Sequence, residues 1–284
     1  MREAMFYHTF SDDGTLTCLL CPHRCHLVPG FSGKCRVRKN IDGRLMSMNY
    51  AELTAINLDP IEKKPLFRFM SGTKTLSIGS YGCNFSCSYC QNYSISMGEP
   101  VTRSVGPERI IEEATELNVP SISYTYNEPV VYYEYVLETA KQAKKKGLAN
   151  IMVTNGYIED EPLVTLLPYM DAMNIDLKAF RQDAYRRFCG GDLEPVLNTI
   201  ERAYQQCHIE ITTLLVTDMH EKDELENMFR WIAGISPDIP LHLSRYFPSY
   251  KHQAPATPKA WLTEVKNCAD QYLNYVYLGN IPTT

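Results

Sequence analysis

Three cysteines, Cys83, Cys87 and Cys90, come directly after the apolar run Thr75 to Gly79 in the string TLSIGSYGCNFSCSYCQN. A short apolar run bounded by turn residues reads as a strand, so the three thiols lie on a loop just past a strand end. Intervals of three and two residues let that loop wrap three sulfurs around three corners of an iron–sulfur cube. No fourth cysteine stands nearby, whereas a conventional cluster takes four thiolates and a closed structural zinc site four protein ligands. Three sulfurs therefore imply either a distant fourth ligand or an open metal position. An open iron in a [4Fe-4S] cube can bind a small molecule through an amine and a carboxylate. The plainer alternative is a zinc knuckle.

Beyond Cys90 the chain alternates strand-like and helical segments. SISYTYN from Ser121, NIMVTN from Asn150, AMNIDLK from Ala172, IEITTLLV from Ile209 and LHLSRYF from Leu241 are the strand candidates. Pro107 opens a helix with the stripe Ile110, Ile111, Ala114 and Leu117, and Gly147 closes another after Lys144, Lys145 and Lys146. Asp192 begins a third, with Leu193, Leu197, Ile200 and Tyr204 on one side. Repeated strand–helix units specify a parallel sheet with right-handed crossovers. The fold class is thus α/β, a partial (β/α)6 TIM-like barrel over 75–284, behind a small Cys-rich N-terminal segment, 1–74.

In such barrels chemistry gathers at the carboxyl ends of the strands. Polar residues stand there in phase: Asn127 and Glu128, Thr154 and Asn155, Asp176 and Lys178, Thr212 and Thr213, His242 and Arg245. Any one of them could simply cap a helix, but five sets in register point to a site. The tyrosines Tyr124, Tyr126, Tyr132, Tyr133 and Tyr135 read as packing.

Composition narrows the class. The chain has 284 residues, 44% of them hydrophobic, and a net charge of −5, enough apolar material for a core and too acidic for a general nucleic-acid binder. No run approaches the roughly 18 apolar residues that span a bilayer, and MREAMFYHTFSDDG lacks the apolar core of a secretory signal. A cytoplasmic, reducing compartment is expected, in which clustered cysteines serve metal or redox chemistry before disulfides. The basic stretch 34–44 reads as a solvated face.

Of ten cysteines, four more form the quartet Cys18-x2-Cys21-x3-Cys25-x9-Cys35. Four thiolates are a complete shell for zinc or for a second iron–sulfur cluster, and a segment broken by Pro22, Gly30 and Gly33 needs such a staple. A structural role is favoured over an electron relay. Cys207 and Cys268 read as small buried hydrophobes. Cys189, in FCGGD, is a candidate catalytic residue because Gly190 and Gly191 free the backbone to approach a ligand.

The Cys83, Cys87, Cys90 spacing, with Tyr89 before the last cysteine, resembles the signature of the radical S-adenosylmethionine (SAM) superfamily. The strings CLLCPHRCHLVPGFSGKCRVR, DPIEKKPLFRF, YTYNEP, NIDLKAF, HLSRYFP and YVYLGN narrow the resemblance to the branch related to the pyruvate formate-lyase activating enzyme. Within it, the chain most resembles the AmmeMemoRadiSam system radical SAM enzymes. The resemblance implies a [4Fe-4S] cluster on Cys83, Cys87 and Cys90 whose unique iron chelates SAM. It places Tyr89 beside the adenine, and the Tyr126 to Pro129 segment where relatives carry a Gly-Gly-Glu turn, here with Asn127 in place of a glycine. It assigns Asp176 and Lys178 to a ribose or amine contact and to the SAM carboxylate, and His242 to the neighbourhood of that carboxylate. Also implied are a low-potential donor of flavodoxin or ferredoxin type and Amme- and Memo-type partners.

The leading reading is an enzyme that cleaves SAM reductively to a 5′-deoxyadenosyl radical, which takes hydrogen from a protein, peptide or small-molecule substrate. The alternatives are an activase that places a glycyl radical on a partner enzyme and a zinc-stabilised binding module without catalysis.

Overall fold

The computed structural model describes residues 1–9 and 13–281. At its centre lies one eight-stranded sheet whose strands follow chain order from edge to edge. They are β1 (Ala55–Pro60), β2 (Lys74–Gly79), β3 (Ser121–Tyr124), β4 (Ala149–Thr154), β5 (Ala172–Asp176), β6 (His208–Leu215), β7 (Leu241–Arg245) and β8 (Val276–Gly279). Strands β2 to β8 are parallel, and β1 runs antiparallel to β2 from Ala55 opposite Gly79 to Pro60 opposite Lys74. Parallel neighbours need long crossovers, and helices supply them: α1 (Pro107–Glu116), α2 (Tyr133–Lys145), α3 (Asp160–Leu166), α4 (Glu194–Tyr204), α5 (Lys222–Ile235) and α6 (Lys259–Ala269). This is the α/β fold that the alternation predicts. Its open edges, with β1 and β8 unpaired to each other, are consistent with a partial barrel.

The sheet has two strands more than the sequence pattern identifies. YVYLG forms β8, paired with β7 from Leu241 opposite Val276, and β1 comes from the 1–74 stretch, which thereby supplies the outer strand. Residues 282–284 of the expected second unit lie outside the described residues. Ahead of β1, Tyr7–Thr9, Leu16–Cys18 and His26–Leu27 make one small antiparallel sheet. Arg2–Glu3, Arg38–Ile41 and Arg44–Ser47 make another.

Helix faces follow the apolar periodicity with two corrections. Ile110, Ile111 and Ala114 are buried on α1, but Leu117 lies past its last turn and is exposed. Helix α4 starts at Glu194, not Asp192, and buries Val196, Thr199, Ile200 and Ala203. Leu193 and Leu197 are only half-buried and Tyr204 is exposed. The stretch 34–44 is not uniformly solvated either. Lys34, Arg36 and Arg44 are exposed, whereas Arg38 is 1% exposed and its guanidinium grips Glu134 of α2 bidentately at 2.9 and 3.0 Å.

Because β1 runs against the others, the chain from Ile61 to Thr73 lies under the amino ends of the parallel strands. Buried polar side chains hold it there. Glu210 accepts the backbone N–H groups of Phe67 and Arg68 at 3.0 and 2.7 Å, and Asn174 donates to the Pro65 carbonyl at 2.8 Å. Burial alone would raise the Glu210 carboxyl, but hydrogen bonds from His208, His242 and the two backbone groups hold it down at about 2. Its folded value lies below that of an unfolded glutamate, about 4.3. The stabilisation is therefore present above that pH and is lost as pH falls toward 2, by about 3 kcal/mol. Urea midpoints of the wild type should drop across that window, and a Glu210→Gln variant should be less stable at pH 7 with a flatter acid limb. Equal slopes for the two proteins would refute this role.

Candidate active site

The carboxyl ends of the parallel strands open onto a cavity of about 410 Å³. Cys83, Cys87 and Cys90 are the cysteines among its lining residues. The loop is held locally by backbone bonds: Cys90 N–H donates to the Cys87 carbonyl at 3.2 Å, Gly82 N–H to the Ile95 carbonyl at 2.9 Å, and Phe85 N–H points at Cys83 Sγ at 3.3 Å. Burial, then the charge of Glu128, pushes the Cys83 thiol well above its usual range. Contact with Cys189, then burial, does the same at Cys87, and burial raises Cys90 as well. Without a metal these groups stay protonated at neutral pH, so metal loading must displace their protons.

Cys189 packs behind this loop and is not among the cavity-lining residues. Its Sγ sits 3.3 Å from the Tyr89 hydroxyl and against Cys87, fully buried. The Cys189 and Phe188 carbonyls accept from Ser86 and Ser88 N–H at 2.8 and 2.9 Å. The expected catalytic placement is thus corrected to a buttress. Gly190 and Gly191 do permit a close approach, but to the cysteine loop: a Cβ on Gly191 would overlap the Phe85 ring, and one on Gly190 would lie 2.6 Å from Ser86 Oγ. Gly191→Ala should destabilise the fold by about 1–3 kcal/mol and lower iron content per folded chain, checked by denaturation and iron assay. Unchanged iron loading would show that the loop tolerates the shift.

The strand-end residues divide into two sets. Asn127, Glu128, Thr154, Asn155, Asp176, Lys178 and Thr212 all line the cavity, as does Tyr89. Asn127 ties the end of β2 to the cysteine loop, accepting from Ser80 N–H at 2.8 Å and donating to the Gly82 carbonyl at 3.0 Å. Glu128 accepts from the Thr154 hydroxyl, Asn155 N–H and Val130 N–H at 2.6, 2.8 and 3.0 Å. Burial nevertheless outweighs those bonds and lifts its carboxyl to about 7. Lys178 sits 3.0 Å from Asp176; burial would lower it, but the Asp176 carboxylate keeps it charged, well above its usual range. Thr212 donates to Asn174 at 2.9 Å.

Thr213, His242 and Arg245 fall outside this set, Thr213 donating instead to the Leu177 carbonyl at 2.8 Å. His242 stands one pleat below the cavity-lining Ser244 and donates to Glu210 at 2.6 Å, between the Phe67 and Tyr277 rings. Arg245 alternates to the other face of β7, donates to the Thr257 carbonyl at 2.7 Å and covers the Phe247 ring. Strand-end position alone did not reveal which pleat each residue occupies.

Sequence reasoning also missed contributors from the segment beneath the strands. Lys64, 3% exposed, lines the cavity, pairs with Asp59 at 2.7 Å and lies over the Tyr126 ring. Burial would raise Asp59, but bonds from Lys64 and Tyr126 hold it far below the carboxylate range. Tyr126, with φ 71°, is the one tyrosine of its run that lines the cavity, while Tyr124, Tyr132, Tyr133 and Tyr135 are core. The available signal was the charged DPIEKK string between two strands.

Residues 77–232, more than half of the chain, match the family described as the Radical SAM superfamily. The chain belongs to the radical SAM superfamily. It is 42% identical to an uncharacterized protein of Methanocaldococcus jannaschii over 99% of this chain and 86% of that one. A second protein of that organism, whose name as a glycyl-radical enzyme activating enzyme is provisional, is 27% identical over 72% of this chain and 88% of its own length. The structure of Streptococcus suis SuiB bound to S-adenosylmethionine shares the fold, with TM-score 0.56 and 13% identity over 70% of this chain and 48% of that one.

Membership in the radical SAM superfamily makes the chain an enzyme whose cofactors are a [4Fe-4S] cluster and SAM, against the non-catalytic zinc module. The site fits both. Three thiols face one cavity with room for a nucleoside-sized ligand, and the remaining lining offers carboxylate, amide, hydroxyl and ammonium groups. Among the described residues no helix is long and apolar enough to cross a membrane.

Proposed function

We propose that Cys83, Cys87 and Cys90 hold the cluster, and that SAM is cleaved there to attack a C–H bond of a protein, peptide or small molecule. The observation that carries this is the convergence of those three cysteines, and no other, on a cavity rimmed by Glu128, Asn155, Asp176 and Lys178. When bound, the cluster would supply the low-potential electron that cleaves the carbon–sulfur bond of SAM, giving methionine and the hydrogen-abstracting 5′-deoxyadenosyl group. The chain's own residues bind and orient. The Lys178 ammonium faces the anionic thiolates and is available to a carboxylate, while Asp176 supplies an acceptor for a ribose hydroxyl or an amine. Asn127 fixes the strand end that carries the cysteine loop. Glu128 locks the β4 end through Thr154 and Asn155, aiming the Asn155 amide at Cys83. Tyr89 and the surrounding aromatic packing exclude water from a species that would react with any nearby C–H bond.

A flavodoxin- or ferredoxin-type donor supplies the electron in this reading, and the AmmeMemoRadiSam grouping supplies the partner class. The resemblance to a glycyl-radical activase favours one second reading, in which the hydrogen comes from a partner's glycine. Anaerobic incubation with SAM and a reductant should yield 5′-deoxyadenosine, and no product from iron-loaded protein would refute the proposal. A glycyl radical on an added partner enzyme would select the second reading.

A further inference from the structure

We propose that Cys18, Cys21, Cys25 and Cys35 hold a second iron–sulfur cluster, fully ligated by protein, in place of a zinc ion. The family match begins at residue 77, so it accounts for none of the four. All four line one small cavity in the N-terminal segment, together with His23 and Arg38.

Donor spacing separates the two metals. A zinc ion at about 2.3 Å from each sulfur draws its thiolates together around a single point, whereas a cube binds each thiolate through a different iron and keeps them apart. Among the described residues, no three His, Cys, Asp or Glu side chains converge closely enough to hold one ion. Cys83, Cys87 and Cys90 likewise form no such tight group, and theirs is the cubane site proposed above, on which this comparison rests. The quartet has the same character with one sulfur more, so no iron is left open.

A buried donor points to a metal-bound thiolate occupant. The two terminal nitrogens of Arg38 are engaged by Glu134 and by the Met5 carbonyl at 2.8 Å. Its Nε–H is buried without a partner, on a residue that lines the quartet cavity. A buried N–H left unpaired costs about 1–3 kcal/mol, and sulfide or thiolate sulfur of a cluster accepts such bonds. Lys34 N–H already points at Cys25 Sγ at 3.5 Å.

The quartet also abuts the cavity's cysteine loop. A Cβ on Gly82 would lie 2.8 Å from the Cys35 carbonyl, so the chain before Cys83 closes on the quartet segment. Asn84 lines the quartet cavity, and its carbonyl accepts from His23 Nε2 at 2.7 Å. The two cysteine sets therefore share a wall.

The test does not depend on SAM chemistry. The full chain carrying Cys83→Ala, Cys87→Ala and Cys90→Ala is prepared without oxygen, and its iron, acid-labile sulfide and zinc are measured. The expected content is about four iron and four sulfide per chain, half the wild-type value, for a cubane. Its absorption and magnetic spectra should be unchanged by SAM, because every iron is occupied. Zinc without sulfide, or a folded chain with no metal, would overturn the inference. Cys25→Ser in the otherwise native chain should lose about half of the iron, and full retention would likewise overturn it.

Discussion

Cys87→Ala should abolish formation of 5′-deoxyadenosine, a loss well beyond the roughly 10–100-fold that removal of an outer-shell group costs a metal site. Cys87 is the central and most buried of the three cysteines on the loop, between Cys83 and Cys90 and against Tyr89 and Cys189. Removing its sulfur leaves two thiolates, too few to anchor a cube beside an open iron. The product is measured by chromatography after anaerobic turnover, with iron and sulfide assayed on the same sample. Cys189→Ala provides the contrast. Because Cys189 stands outside the cavity, that variant should keep its cluster and retain cleavage, with some loss of loop stability. Loss of activity in Cys189→Ala with a full cluster would return the residue to a chemical role.

The second large effect concerns stability. Glu134→Ala should destabilise the fold by about 3–5 kcal/mol, because it strands the Arg38 guanidinium in the core. Arg38 and Glu134 are both nearly fully buried, and the pair joins the N-terminal sheet to α2. Breaking one side of a buried pair costs far more than replacing both sides with apolar groups. The double variant Arg38→Met with Glu134→Leu should therefore recover much of the loss. Urea denaturation of the three proteins checks both statements, and an unchanged midpoint in Glu134→Ala would contradict them.

Much of the fold is legible in the sequence because period and punctuation agree. Apolar runs of strand length alternate with helical stripes, so β2 through β7 and the crossovers α1, α2 and α4 can be read directly, and the cysteine loop falls at a strand end as the strand before it predicts. β8 was missed because its four residues, Val276–Gly279, are too short to declare a period. Seven strand-end residues reach the cavity, but which pleat a side chain occupies depends on register, and a strand-end position does not encode that. His242 shows this: it lies beside Glu210 because β7 enters the sheet with Leu241 opposite Ile211.

Arg38 illustrates the other limit. A basic residue within a basic run reads as surface, and only its distant partner Glu134, ninety-six positions away, makes burial tolerable. Lys64 and Asp59 belong to the same class, since their pairing depends on the segment folding beneath the strands. Gly190 and Gly191 permit a close approach, as their lack of a side chain predicts, and what approaches is the cysteine loop at Ser86 and Phe85.

The central claim is an iron left open by three cysteines. Electron–nuclear double resonance on the reduced protein, with SAM labelled at the amine nitrogen and carboxylate carbon of its methionine part, tests it most directly. Hyperfine coupling from both labels to the cluster is the predicted result, lost in Cys87→Ala. A reduced cluster of full iron content that shows no coupling to either label would contradict the account.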